Sequence, residues 1–508
     1  MRTYHRGPRP MTLADWFGLA VLILAIACSA ILYLRLMATD MVTSTILTAL
    51  LIGLIVLNVI FLVFLLPRWR KKAPKLVAAV LAVVISAGML YAISAVDTVQ
   101  KALISISGQM VEQEITYIFV MKDNDDEIGD AVDYNFGALS NADTQNTAAL
   151  LAKLTESLGN EVTSSSYDMV PDLIRSLYSG EVDAVILNQG YIALLEAMEE
   201  FGDFSDRTRI FYEFTTVREV EPIQPNPAIT REPFVIYCSG IDARSTNINI
   251  TSLSDVNIMA VVNPETHQVL LLNTPRDYYV PLVSEPYAGM RDKLTHAGSI
   301  SIEESMKVLC QLYDVDPSYY IRVNFTGLVD IVDALGGIEV VSENSFYTVP
   351  LSVDDQNEIV YYFEEGINEI NGIEALAFCR ERKHLQDGDE QRGRNQMAVI
   401  KGIVDKATSP AILSRYSELL QAVEGCFITN MPYEDMSALV KMQLKDMSGW
   451  DITTYAVSGD PDSQECATMP GWDLWVMWPN EDDIATAKAL IQQVWNGEVP
   501  TVPATPAN

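Results

Sequence analysis

The chain has 508 residues, a formal net charge of −33 and 49% hydrophobic residues, which predicts roughly two to four domains with buried cores. The acidic excess and the lack of a long basic face exclude a nucleic-acid-binding protein. Four histidines and six cysteines occur without a CxxC or HExxH motif, so a zinc site is not expected.

The first 100 positions contain three long apolar runs, over residues 16–34, 43–66 and 76–96. Each run has about 20 residues with almost no charge, the length needed to cross ~30 Å of hydrocarbon. A cleaved signal peptide has a shorter apolar centre and would not be followed by two further runs. The sequence therefore predicts three transmembrane helices and a connector to residue 111, with buried core helices as the alternative.

Basic residues predict the orientation of these helices. Arg2, Arg6 and Arg9 precede the first run and the second loop reads PRWRKKAPK, whereas the first loop has only Arg35 beside it. Basic loops stay in the cytoplasm. The protein is therefore predicted to be a multi-pass cell-membrane protein with a cytoplasmic N-terminus, whose chain after about residue 97 is extracellular.

Residues 112–220 are predicted to form an α/β accessory domain. ITYIFVM and VDAVILN are typical of strands, while TAALLAKLTESLG, MVPDLIRSLYSG and YIALLEAMEEFG are typical of helices. The passage LIRSLYSGEVDAVILNQGYIALLEAM weakly resembles the second half of a solute-binding-protein lobe. A spacer or protein-binding module without a small ligand is the alternative. Residues 221–233 are a proline-rich linker.

A second α/β domain is predicted over residues 234–495, with its core in 234–410 and a disordered tail at 496–508. Thr326 is predicted to be the N-cap of the helix in TGLVDIVDALGG. Polar side chains stand at the ends of the predicted strands: Asp242, Arg244, Asp255, Arg276 and Asp277. Ligands of α/β sheets bind near strand ends, although a single aspartate there is more often a turn or cap residue.

The segment FCRERKHLQDGDEQRGRNQ, residues 378–396, concentrates cations in an acidic protein. Arginine offers a planar fork of donors that matches phosphate oxygens. Arg380 and Arg382 would point the same way, roughly 7 Å apart, if the chain there is extended, and would diverge if it is helical. A solvated loop of mixed charge is the alternative.

The cysteines fall into two groups. Cys28 lies in the first apolar run, and Cys238, Cys310 and Cys379 lie in apolar runs typical of buried thiols. Cys426 and Cys466 lie in polar surroundings, and an extracellular location permits a disulfide. A disulfide between this remaining pair is therefore predicted.

Taken in order, GIDAR, SD, NTPRD, KLTHA, NF, FxEGxNEINGxEALAFCRER and DxxRxxNQ resemble the motifs of the LytR-CpsA-Psr family. The resemblance runs from about residue 234 to 401, and more loosely to 479. It implies an α-β-α domain with a mixed sheet, and a hydrophobic pocket for a polyprenyl chain with arginines at its mouth. The implied activity is transfer of a glycopolymer from an undecaprenyl-pyrophosphate carrier to peptidoglycan, assisted by Mg²⁺.

The resemblance also implies roles for individual residues. The implied catalytic residues are Asp242, Arg276, Asp277, Arg380 and Arg382. The implied pyrophosphate-binding residues are Arg244, Arg276, Arg380, Arg382, Arg392 and Gln396, with Asp389 in the same motif. The implied Mg²⁺ ligands are Asp242 and Asp255, since Mg²⁺ prefers hard oxygens. Either Asp277 or Asp242 would take the proton of the attacking hydroxyl.

Three features depart from the family pattern. Its members usually have one span, and many lack an equivalent of residues 112–220. Their last motif often has a second arginine where this chain has Asn395, next to Arg394.

The predicted partners are the lipid-linked glycopolymer (teichoic acid, capsule or another secondary polymer), peptidoglycan and membrane lipid. A non-catalytic envelope regulator or ligand sensor, or a polyprenyl-pyrophosphate hydrolase, is the alternative.

Overall fold

A computed structural model describes residues 11–66, 72–107, 111–140, 143–196, 198, 200–219, 223–241, 248, 251–354, 357–414, 419 and 425–503. The chain divides into two compact units. The first comprises Met1–Ser105, Leu413–Gln421 and Tyr433–Ser448, and the second comprises Ile106–Ile412, Ala422–Pro432 and Gly449–Asn508.

The first unit contains three helices long and apolar enough to cross a membrane. They are α1 (Leu13–Ala38), α2 (Ser44–Leu65) and α3 (Lys72–Ile106). The helices coincide with the predicted apolar runs, although the third extends ten residues beyond the predicted end at 96. Near the start of α1, Asp15 forms an ion pair with Lys75 of α3.

The loop between α1 and α2 contacts a helix from late in the chain, Tyr433–Asp446. The Tyr433 hydroxyl donates to the Thr39 carbonyl at 2.9 Å, and Lys441 Nζ lies 2.7 Å from Asp40 Oδ1. This helix falls inside the predicted domain 234–495 but belongs to the first unit. The loop and this helix therefore lie at the same end of the three-helix bundle.

The accessory domain contains one five-stranded sheet in the order β3-β2-β4-β1-β5. Its elements are β1 (Val111–Met121), β2 (Phe136–Leu139), α4 (Thr144–Leu158), β3 (Ser164–Tyr167), α5 (Val170–Ser179), β4 (Ala184–Asn188), α6 (Gly190–Glu196), α7 (Phe204–Arg207) and β5 (Thr208–Glu219). Strands β3, β2 and β4 are parallel, and β1 is antiparallel to β4 and β5. The alternation of strands and helices matches the prediction.

Each face of this sheet has its own apolar core, because successive strand residues point to opposite faces. Ile118 of β1 packs with Leu154 of α4 on one face. Phe119 packs with Leu177 of α5 on the other face. Leu154 and Leu177 are each 1% exposed.

The second α/β domain is built on a six-stranded sheet in the order β18-β11-β6-β7-β8-β19. Its strands are β6 (Phe234–Ile241), β7 (Val256–Asn263), β8 (Gln268–Asn273), β11 (Tyr319–Asn324), β18 (Phe427–Thr429) and β19 (Asp451–Ala456). The β11–β6 and β8–β19 pairs are parallel, and the β18–β11, β6–β7 and β7–β8 pairs are antiparallel. The sheet is therefore mixed, as predicted.

Helices and short strand pairs complete this domain. Its helices are α8 (Leu294–Ile300), α9 (Ile302–Tyr313), α10 (Phe325–Leu335), α11 (Gly372–Arg380), α12 (Gly388–Ala407) and α14 (Glu481–Trp495), whereas α13 (Tyr433–Asp446) belongs to the first unit. The short strands are β9 (Tyr279–Pro281), β10 (Arg291–Lys293), β12 (Ile338–Ser342), β13 (Phe346–Tyr347), β14 (Leu351–Asp354), β15 (Asn357–Ile359), β16 (Tyr362–Phe363), β17 (Gly366–Ile370), β20 (Gly459–Cys466) and β21 (Met469–Pro479).

Two local predictions are wrong. The N-cap of α10 is Asn324 and not Thr326, because the Asn324 side chain accepts the Gly327 amide at 2.8 Å. The predicted tail begins too early, since the Glu498 amide donates to the Gln493 carbonyl at 2.8 Å. The chain is therefore held against the end of α14 beyond residue 496.

Candidate active site

The sheet of the second domain brings the described members of the predicted polar set to one edge. Strands β6 and β11 are parallel, so their carboxyl ends lie side by side, and β11 ends at Asn324, just before Phe325. Strand β7 runs the other way and begins there, just after Asp255, whose amide donates to the Gly240 carbonyl at 2.8 Å. Strand β8 ends beside it, just before Arg276.

Arg276 lies between two carboxylates at this edge. Its Nη1 is 2.7 Å from Asp255 Oδ1 and its Nε is 3.6 Å from Asp277 Oδ2. Burial lowers the pKa of Arg276, but the two carboxylates outweigh burial and raise it. Among the described residues, the buried Nε has no hydrogen-bond partner. The 3.6 Å between Nε and Asp277 Oδ2 exceeds hydrogen-bond distance.

Lys293 is a site residue that the prediction missed. Its Nζ lies 3.0 Å from Asp277 Oδ1, and its side chain is only 15% exposed. Lys293 is the first residue of KLTHA, so the motif already contained the signal. Asp277 therefore accepts from Lys293 and also lies beside Arg276.

Helix α12 adds Asp389 and Arg392, which are three residues apart and lie on one face of the helix. Arg392 Nη2 is 2.9 Å from Asp389 Oδ1, and Arg382 Nη1 is 3.9 Å from the same oxygen. Burial lowers the pKa of Arg392, and the charges of Arg276 and Arg382 add to this effect, while Asp389 opposes it. The charges of Arg276 and Arg382 are therefore close enough to act on Arg392.

The chain between Arg380 and Arg382 is neither fully helical nor fully extended. Helix α11 ends at Arg380, and Glu381 has extended dihedrals. The Arg380 guanidinium lies over the Phe325 ring, 4.6 Å from its centroid. Arg382 points toward Asp389, with 47% of its side chain exposed. The two arginines thus approach the sheet edge from different positions.

Glu381 fixes this turn. Its side chain is fully buried and accepts the amides of Arg382 and His384, each at 2.9 Å, and also the amide of Val349. Burial raises the pKa of Glu381, but the His384 and Val349 amides outweigh it and lower the pKa. An ionised carboxylate therefore anchors the segment between the two arginines.

The rest of the last motif points elsewhere. Gln396 Nε2 donates to the Cys379 carbonyl at 3.3 Å and so supports the end of α11. Arg394 Nε lies 2.8 Å from Glu343 Oε2, and its Nη2 also contacts Asp387. Arg394 therefore does not replace the arginine that the family often has at the position of Asn395.

Two predicted site residues, Asp242 and Arg244, lie outside the described residues. Asp255 is the described member of the predicted Mg²⁺ pair. Its Oδ1 accepts from Arg276, and a carboxylate has a second oxygen for a hard cation. Asp255 is thus one carboxylate, already paired with Arg276, and a Mg²⁺ site at Asp255 and Asp242 stays a prediction.

The predicted Cys426–Cys466 disulfide is wrong. Cys426 Sγ lies 3.7 Å from Asp330 Oδ2. Cys466 Sγ instead lies within 4.8 Å of a carboxylate oxygen of Asp292 and a ring nitrogen of His296. The structure has no bond between the two sulfurs. Both cysteines are buried despite their polar sequence neighbours, so local sequence was a poor guide to their surroundings.

The chain thus combines three helices long and apolar enough to cross a membrane with an α/β domain that gathers arginines and carboxylates at one sheet edge. Residues 210–476, just over half of the chain, match the LytR_cpsA_psr family. The chain therefore belongs to the LytR-CpsA-Psr family.

Similar proteins carry transferase names. A protein from Bacillus licheniformis named polyisoprenyl-teichoic acid–peptidoglycan teichoic acid transferase TagU is 30% identical over 206 residues, which is 40% of this chain and 62% of that protein. The Enterococcus faecalis TagU is 32% identical over 41% of this chain and 65% of its own length. The chain thus matches less than two thirds of these two relatives. A crystal structure of B. subtilis TagV is 22% identical and covers 53% of this chain and 99% of its own, with a TM-score of 0.42.

Proposed function

We propose that this protein transfers a glycopolymer from a polyprenyl-pyrophosphate carrier to peptidoglycan outside the membrane. The observation that carries the proposal is a cluster of arginines at one sheet edge. Arg382 and Arg392 share Asp389 Oδ1, and Arg276 lies between Asp255 and Asp277 just after β8. Helix α12 packs against the end of β8, because a Cβ at Gly393 would meet the Asn273 side chain. The named relatives suggest a teichoic acid as the glycopolymer, and capsule or another secondary polymer has the same phosphate chemistry.

The charges of the site favour an anion. The described cations are Arg276, Arg380, Arg382, Arg392 and Lys293, and the described carboxylates are Asp255, Asp277, Glu381 and Asp389. Cations are in excess, and arginine can contact phosphate oxygens through two donors at once. A pyrophosphate would supply the missing negative charge. The same groups would stabilise charge that grows on it during transfer.

Asp277 is our candidate for the general base. In the proposed reaction an acceptor hydroxyl attacks the phosphorus that bears the glycopolymer, and the bond from that phosphorus to the lipid phosphate breaks. The lipid phosphate leaves, and the hydroxyl proton passes to a carboxylate. Lys293 and Arg276 hold Asp277 in one orientation. The role further requires that the acceptor hydroxyl come within hydrogen-bond reach of this carboxylate.

A divalent cation belongs to the same proposal. Asp255, together with Asp242, would hold Mg²⁺ through carboxylate oxygens. When bound, the ion would neutralise charge on the phosphate oxygens. Arg276 orients Asp255 through the 2.7 Å contact.

The proposed location is the outer face of the cell membrane. The basic residues before α1 and between α2 and α3 favour a cytoplasmic position for that end of the bundle. The α1–α2 loop lies at the other end, where it contacts α13. This contact supports placing the C-terminal part of the chain outside.

The test is a transfer assay with the full-length protein in detergent. A lipid-pyrophosphate saccharide is supplied with and without peptidoglycan fragments. Arg392→Ala is compared with Arg394→Ala, a matched control two residues away whose partners are Glu343 and Asp387. We expect acceptor-dependent product, greatly reduced only in Arg392→Ala. Release of the saccharide without acceptor would favour the hydrolase, and binding without turnover would favour the regulator or sensor.

A further inference from the structure

The antiparallel hairpin β20–β21, residues Gly459–Pro479, connects the candidate active site with the accessory domain. On the active-site side, the Met477 amide donates to the Asp277 carbonyl at 2.8 Å. The Tyr279 hydroxyl donates to the Glu465 carbonyl at 2.7 Å. The hairpin is thus bonded directly to the backbone that carries Asp277.

A second link runs through Asp292, whose side chain is completely buried. The backbone amide and the hydroxyl of Thr468, in the hairpin turn, each donate to Asp292 Oδ2 at 2.7 Å. The Lys293 amide and His296 Nδ1 donate to Oδ1 at 2.7 and 2.6 Å. Burial raises the pKa of Asp292, but His296 and Thr468 outweigh it and lower the pKa. An ionised Asp292 therefore ties the hairpin turn to the backbone that carries Lys293.

The other side of the hairpin belongs to the accessory-domain core. Cys466, Met469 and Val476 are buried in the same cluster as Leu173 and Leu177 of α5. The contact is close, because a side chain at Gly471 would place its Cβ 2.6 Å from the Met169 sulfur. The accessory domain therefore packs on the hairpin through a shared apolar core.

Neighbouring residues of β21, and of the segment that leads into β9, belong to different cores. Met477 is in the core of the second domain and its neighbour Val476 is in the accessory core. Likewise Tyr278 is in the former and Tyr279 in the latter. Because neighbouring strand residues point in opposite directions, the segment following Asp277 is wedged between both cores.

We infer that the accessory domain is a positioning element of the transferase site. Its core holds Tyr279 and the hairpin, and these hold Asp277 and Lys293 in register with Arg276. Tyr279, Asp292 and Thr468 are positioning residues in this arrangement. The inference rests on the proposed function only for the role of Asp277 in transfer. The mechanical link itself is independent of that role.

The first test compares two buried leucines of the accessory domain in the full-length protein. Leu177 lies in the hairpin-facing core and Leu154 in the core of the opposite face, and both are 1% exposed. Leucine-to-alanine changes leave a cavity in either core. We expect Leu177→Ala, and not Leu154→Ala, to speed amide hydrogen exchange at Met477, which reports local opening. Equal exchange in both variants, whether raised or unchanged, would overturn the inference.

The second test measures the consequence for transfer. We expect Leu177→Ala to lower kcat by about fivefold or more with little change in KM, because a small misplacement of a catalytic group is costly. Leu154→Ala should stay within about twofold of the wild type, as expected for a site that is not coupled. Transfer by Leu177→Ala at the wild-type rate would refute the positioning role. Absence of transfer by the wild type would instead refute the proposed function, and the exchange result would still decide the link.

Two substitutions at Thr468 test the same link with a smaller change to the protein core. Thr468→Val keeps the shape and the backbone bond but removes the hydroxyl that donates to Asp292, whereas Thr468→Ser keeps that hydroxyl. We expect the valine variant to lower kcat and the serine variant to restore it. The double variant Leu177→Ala/Thr468→Val should lose less than the product of the two single losses, because both act through one hairpin. A purely multiplicative loss would contradict a shared route.

Discussion

Replacing Arg276 with alanine is the most direct perturbation of the candidate active site. The change removes the contact with Asp255 at 2.7 Å and the cation beside Asp277. It also removes the buried Nε, which donates a hydrogen bond to no described residue. The two carboxylates would remain at the sheet edge with less positive charge beside them, so an incoming pyrophosphate would meet repulsion as well as fewer donors.

The expected size follows from two separate effects. Losing one preorganised donor to a transition-state oxyanion raises the barrier by roughly 2–4 kcal/mol, which corresponds to a loss of rate of roughly 30- to 1000-fold. The fold loses a charge-assisted hydrogen bond of about 1.5–3 kcal/mol. The side chains of Arg276 and Asp255 are 27% and 21% exposed, so solvent screening places the stability loss at the lower end of that range.

The assay combines transfer rate with thermal unfolding. A short-chain polyprenyl pyrophosphate, present at about 100 times its Kd, should stabilise the wild type by about 2.7 kcal/mol and raise its melting temperature. Arg276→Ala should show a smaller rise, and Arg276→Lys should recover only part of the rate, because a point charge cannot make the forked contact. A folded Arg276→Ala protein that transfers at the wild-type rate would refute the anion-binding role of this arginine.

Three further outcomes are expected. Asp255→Ala should abolish both activity and its Mg²⁺ dependence, and a retained response to Mg²⁺ would place the metal elsewhere. Glu381→Gln should lower the unfolding free energy at neutral pH. A carboxylate whose pKa is lowered by folding stabilises the fold at pH values above its unfolded-state pKa of about 4.3, and this stabilisation is lost as the pH falls through the folded-state pKa. The difference in unfolding free energy between wild type and variant should therefore shrink in acid, as measured by denaturant titrations across pH. A reporter fused after residue 100 should be active outside the cell, and activity in the cytoplasm would contradict the proposed orientation.

The fold was largely predictable because its signals are local. Apolar runs of spanning length gave the three helices, and alternating strands and helices gave both α/β sheets. The N-cap of α10 was misplaced because Asn324 and Thr326 are both good N-cap residues, and only the contact with the Gly327 amide distinguishes them. The continuation of α3 beyond residue 96 was not predicted, because its last turns mix polar and apolar residues and lack the uniform apolar character of the spanning run.

The candidate active site was less predictable because it depends on direction and on distant packing. Sequence spacing does not tell where α11 ends, and that end sends Arg380 to Phe325 and Arg382 toward Asp389. The charge of Arg394 is not informative about its direction, which Glu343 determines from 51 positions away. The polar neighbours of Cys466 suggested exposure, but the accessory core buries it.

The pairing of β5 with β1 has a practical consequence for producing shortened forms of this protein. The family match begins at residue 210, which is inside the 12-residue strand β5, and β5 pairs with β1 from Val111–Glu219 to Met121–Thr208. A recombinant fragment that starts at the family boundary would present an unpaired strand edge, a template for aggregation. It would also expose the apolar side chains of Tyr279 and Val476 to water. Fragments for crystallisation should therefore start before residue 111.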